Sequence, residues 1–86
     1  MSSNATVTVR SQLTELLNSS DPGQLDSANL LRIVCSCLST MVDTSRKERA
    51  VLSMVGETLA TKAHSPHYAV RRNAAIDAKR QFERLD

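Results

Sequence analysis

Apart from a short alternating run at residues 5–9, apolar residues recur along this chain at helical spacing. Val9, Leu13, Leu16 and Leu17 fall at i, i+4, i+7 and i+8, one face of a first helix for which Thr8 is the candidate N-cap. The run Ala5-Thr6-Val7-Thr8-Val9 is rich in β-branched residues, so the segment ahead of Thr8 is expected to be extended or frayed. Asn18-Ser19-Ser20-Asp21-Pro22-Gly23 gathers turn formers and ends the helix. A second helix then starts at Asp21, with Pro22 at its first position, or at Asp26. Its body holds Leu30, Leu31, Ile33, Val34, Cys35, Cys37, Leu38, Met41 and Val42, apolar around most of the circumference. Such a helix is expected to be buried on two sides, centrally in the fold or across a subunit interface.

Ser45 with Glu48 three residues on forms a capping box, followed by Ala50, Val51, Leu52, Met54, Val55 and Leu59. That pattern argues for a new helix near Arg46. Yet residues 24–55 contain neither Gly nor Pro, and their absence favours one long or bent helix from Asp26 to about Ala63, roughly 55–60 Å at 1.5 Å per residue. Ser65-Pro66 is a clearer boundary: Ser can cap, and Pro fits a first helical turn. On the last helix Tyr68, Ala74, Ala75, Ala78, Phe82 and Leu85 share one side. Arg72, Lys79, Arg80 and Arg84 occupy the opposite arc, with Ile76 among them as an exposed apolar exception. The expectation is a single all-α domain over residues 1–86, an antiparallel helical hairpin or bundle of three or four helices with a long central helix.

Composition adds a reason to expect self-association. One Phe, one Tyr and no Trp in 86 residues leave Leu, Val, Ala and Met to fill the core, and a chain this short buries a modest fraction of its surface. A homodimer is the expected remedy, with Leu31, Val34, Leu38 and Met41 of the second helix at its interface. The polar start and the lack of a long apolar run predict neither a cleaved signal nor a membrane span. The two Cys are then expected to be free thiols in a cytoplasmic protein.

Charge is uneven. Residues 1–43 carry two basic against four acidic side chains, and residues 44–86 nine against five. A positive second half points mildly to a polyanionic partner. The candidate contacts are Arg46, Lys47 and Arg49 in mid-chain and Arg71, Arg72, Lys79, Arg80 and Arg84 on the last helix, which can meet successive phosphates. Stacking aromatics are nearly absent. That disfavours readers of single strands and suits duplex RNA, which is read by shape and backbone; DNA stays open.

No enzyme, cofactor or metal is expected. Cys35-Ser36-Cys37 and His64-Ser65-Pro66-His67 are potential zinc ligands, but helical thiols two residues apart point about 200° from each other, and the spacings depart from zinc patterns. Gly23 and Gly56 make no phosphate loop, and no nucleophile stands beside a base with an orienting third group.

The plan of a first helix, a long second helix holding Cys37-Leu38 with Arg46 some turns later, and a third opened by Ser65-Pro66 resembles the nodavirus RNA-silencing suppressors. The resemblance covers residues 26–76 and rests on architecture; the interval from Cys37 to Pro66 is longer than that family's pattern. It implies a viral suppressor of RNA silencing, a helical dimer lying along double-stranded RNA without sequence readout. Arg46, Lys47 and Arg49 would be its phosphate contacts, with Arg71 and Arg72 secondary. Tyr68-Ala69-Val70-Arg71-Arg72-Asn73-Ala74-Ala75 is also similar to the second helix of a HEAT repeat, a unit that does not stand alone. The alternative function is an oligomerisation or adaptor module whose helical grooves, with Met54 or Ile76 exposed, hold a protein partner.

Overall fold

A computed structural model describes residues 4–39 and 44–85. They form four α-helices: α1 (Asn4–Asn18), α2 (Ser27–Ser39), α3 (Arg46–Lys62) and α4 (Tyr68–Gln81). Single 3-10 turns cover Pro22–Gln24 and Phe82–Leu85.

Each helix runs against the next. Ser27 at the start of α2 meets His64 just past the end of α3 (Oγ to Nδ1, 3.3 Å), and Cys37 near the end of α2 faces Gly56 in mid-α3. Arg84 beyond α4 reaches back to Met54 in α3. α1 closes the ring: Thr6 near its start bonds Glu48 in the first turn of α3, and Arg10 lies over the Phe82 ring, 6.0 Å from its centroid. The result is an up-down-up-down bundle. Its core takes Val9 and Leu13 from α1, Leu30, Ile33 and Cys37 from α2, Val51, Leu52, Val55 and Leu59 from α3, and Ala75 and Ala78 with Phe82 from the α4 end.

The single central helix expected from the sequence is not formed. Ser45 is extended (φ −65°, ψ 162°) and caps α3: its hydroxyl accepts the Glu48 amide proton at 3.2 Å and donates to Glu48 Oε1, also at 3.2 Å. The bundle is 34 Å in its longest dimension, shorter than the roughly 55–60 Å such a helix would need. Folding α3 back on α2 lets Val51, Leu52, Val55 and Leu59 share the core with Ile33 and Cys37, and that burial outweighs the few helical hydrogen bonds lost at the break.

α1 also begins earlier than expected. Thr8 is inside the helix and returns its hydroxyl to the Asn4 carbonyl at 2.8 Å. Thr6 is buried and donates to Glu48 Oε2 at 2.6 Å. This tertiary bond overrides the β preference of the run. Both proposed starts of the second helix are used: Asp21 accepts from the Gly23 amide in the 3-10 turn, and Asp26 accepts from the Asn29 amide at 2.8 Å to cap α2. Pro66 lies ahead of α4, whose N-cap is His67 rather than Ser65.

Two connections are tied by one side chain. Arg71 donates from Nε to the Leu25 carbonyl at 2.6 Å and from Nη1 to the Ser65 carbonyl at 2.7 Å. Arg71→Ala leaves both carbonyls without this donor and is expected to cost about 2 kcal/mol, the scale of bonds to a charged group. Lys at this position offers no fork to span them and should recover little of the loss. Urea midpoints followed by circular dichroism check both variants.

Candidate nucleic-acid interface

The antiparallel packing of α3 and α4 brings two groups of predicted residues to one end of the bundle. Arg46, Lys47 and Arg49 are exposed on the first turn of α3. Lys79, half-buried, with Arg80 and Arg84, both exposed, belongs to the last turns of α4 and the 3-10 turn after it. The link between the groups is direct: Arg84 Nη1 lies 3.2 Å from Met54 Sδ, and Met54 is only about 7.5 Å along α3 from Arg49 at 1.5 Å per residue. Among the described residues the carboxylates at this end are Glu48, buried against Thr6 and Ser45, and Glu83, exposed. Asp43 and Asp86 lie outside the described residues.

The cations spread over this end instead of forming one tight cluster. Helical spacing of seven puts Lys47 on the flank of Met54, toward α4, and Arg49 on the flank of Gly56, toward α2. Arg46 falls between the two. Arg71 and Arg72 are elsewhere, at the opposite end beside the α3–α4 connection. Arg72 is exposed there, and the Arg71 guanidinium is engaged by two carbonyls. Nothing in the sequence separates Arg71 from its neighbour except a helical turn of about 100°, which sends the first toward the chain connections and the second toward solvent.

The two groups of cations differ in what the fold does with them. Lys79 and Arg80 stand at the C-terminus of α4, where the helix macrodipole is negative and favours them. Arg46, Lys47 and Arg49 stand at the N-terminus of α3, the positive end of its dipole, where each is disfavoured by roughly 0.3–1 kcal/mol. Glu48 is the acid in that turn, and it points inward.

The expected dimer residues divide as well. Leu31 and Val34 are half-buried against the core, and Leu38 is 64% exposed. Met41 lies outside the described residues. α2 is therefore buried on one side, with Leu31, Cys35 and Leu38 along its outer face. Ile76, expected to be exposed, is half-buried, and Tyr68, expected on the core side of its helix, is 39% exposed.

The two thiols face opposite ways, Cys35 to solvent and Cys37 into the core. Burial pushes the Cys37 thiol up to about 11. Native protein at pH 8 is thus expected to give one fast-reacting thiol with a thiol reagent, and a second only on unfolding. Because the folded value is raised, Cys37 favours the fold up to the unfolded thiol's range, and this contribution fades as pH climbs through about 11. Thiol counts with and without urea, as a function of pH, check this.

A second surface feature is not evident from charge and periodicity alone. A groove of about 480 Å³ runs between α3 and α4, with Glu57 and Asp77 on it. Its signal was present: Glu57, Asp77 and the small residues Thr58 and Ala74 all fall on the facing flanks of the two helices, visible once their antiparallel register is known. Among the described residues no group of three or more His, Cys, Asp or Glu is placed to hold a metal ion, and no helix is long and apolar enough to cross a membrane.

The fold and this end of it define an all-α four-helix bundle with a cationic pole. No protein-family model, curated protein or solved structure matches the chain.

Proposed function

We propose that the protein self-associates and binds the backbone of double-stranded RNA, without reading its sequence, through the end of the bundle that carries Arg46, Lys47, Arg49, Lys79, Arg80 and Arg84. The observation that carries this reading is the position of the first three. Cations opposing a helix dipole on a solvent-exposed turn do nothing for the fold, so a role in binding accounts for them better than a structural one. Lys79, Arg80 and Arg84 would extend the contact to neighbouring phosphates. The shortage of aromatics favours a duplex over unpaired bases. Self-association would use the outer face of α2, where Leu31, Val34 and Leu38 leave apolar surface uncovered. In the setting implied by the resemblance to nodavirus suppressors, a viral protein in the cytoplasm, such binding would withhold duplex RNA from the silencing machinery.

The test is affinity for a short RNA duplex at 50 and 200 mM salt, with solution mass measured by light scattering. Six phosphate contacts predict a loss of about 10³ in affinity between those salts. Binding indifferent to salt, or equal affinity for a single strand, would sink the proposal, and a monomeric mass with and without RNA would remove self-association.

A further inference from the structure

The α3–α4 groove has a charge pattern opposite to that of the bundle end. Glu57 of α3 and Asp77 of α4 line its half nearer Met54, and neither has an ion-pair partner among the described residues. The rest of the lining mixes apolar side chains, Met54 (37% exposed), Val70 and the largely buried Ala74, with the polar Thr58, Thr61 and Asn73. Cations mark both ends, Arg84 beside Met54 and Lys62 on the last turn of α3. From Met54 to Lys62 the groove follows α3 for about 12 Å, two helical turns.

We propose that this groove is a docking site for a partner protein's amphipathic helix, one that presents a single Lys or Arg between apolar side chains. Each element of that description answers a feature of the groove. The apolar side chains cover Met54 and Val70. The single cation meets the unpaired pair, Glu57 and Asp77. A run of several basic residues is disfavoured, because its flanking charges would meet Lys62 and Arg84. The whole chain carries net charge +2, so a cationic ligand gains nothing from the overall field and must be held by the groove itself. This site borders the cationic end at Met54 and Arg84 but does not depend on the RNA reading.

The experiment uses a fluorescein-labelled twelve-residue helical peptide with a leucine face and one central Lys, titrated by fluorescence anisotropy with the full chain. The expected result is saturable binding that weakens about tenfold in Glu57→Gln/Asp77→Asn. Substituting Glu for the central Lys should abolish it, and charge reversal at Arg46, Lys47 and Arg49 should leave it unchanged. Amide shifts in the NMR spectrum should centre on residues 54–62 and 70–77. Circular dichroism confirms that each variant is folded. Equal binding of the Glu peptide, no change in the double variant, or shifts centred on α2 would each overturn the proposal, as would failure of the Lys peptide to bind at millimolar protein.

Discussion

Phe82→Ala is expected to strip away much of the protein's stability. Phe82 is the only Phe in the chain and is fully buried where α4 gives way to the last 3-10 turn. Truncating a buried Phe to Ala costs about 3–5 kcal/mol, the sum of lost transfer energy and a cavity that does not collapse. Collapse is hindered here because the buried residues that α4 itself supplies are Ala74, Ala75 and Ala78, too short to fill the space. Arg10 also loses the ring beneath its guanidinium. At about 0.05–0.15 kcal/mol per residue a domain of this size holds roughly 4–13 kcal/mol in all, so one substitution consumes much of the margin. Tyr68→Ala, removing the other aromatic at an exposed site, should change stability by no more than about 0.5 kcal/mol. Urea unfolding followed by circular dichroism measures both. A cost below about 1 kcal/mol for Phe82→Ala would mean that the ring is not where this fold puts it.

The contrast between those aromatics shows how far the sequence carried and where it stopped. The core side of α4 was legible at Ala74, Ala75, Ala78 and Phe82, because a 3.6 period over a segment opened by Pro admits one amphipathic face. The same wheel misplaced Tyr68 and Ile76, which sit near the boundary of that face, where the neighbouring helix decides exposure. The capping box at Ser45 and Glu48 was legible too, but its weight was not. A cap contributes about 1 kcal/mol locally, and a continuous helix past it offers a comparable gain. The decision belongs to contacts distant in sequence, such as Cys37 against Gly56 and Thr6 against Glu48. The early start of α1 has the same origin: a β-branched run stays helical because a carboxylate 42 residues away accepts the Thr6 proton. The cationic end was half legible. Its residue types were readable from charge, but grouping Arg46 with Arg84 and excluding Arg71 required the antiparallel register, which composition does not contain.

Reversing Arg46, Lys47 and Arg49 together to Glu is expected to abolish duplex RNA binding while leaving the fold as stable or slightly more so. Two opposing effects separate cleanly here. For the helix, acids on the first turn of α3 replace cations that its dipole disfavours, a change worth roughly 0.3–1 kcal/mol per site in favour of folding, and all three side chains are exposed, so no packing is lost. For binding, three phosphate contacts vanish and three negative charges face the backbone. Removing three of six contacts alone lowers the salt slope from about −5.4 to about −2.7, and repulsion adds to this, so affinity at 100 mM salt should fall by at least about a hundredfold. The same reversal at Arg72, exposed at the other end of the bundle, should move affinity by less than about threefold. The measurement pairs thermal melts with anisotropy titrations of a labelled RNA duplex over a salt series. A triple variant that melts early would show that these cations support the fold after all. A stable triple variant that still binds duplex RNA with the original slope would place the phosphate contacts elsewhere on the molecule.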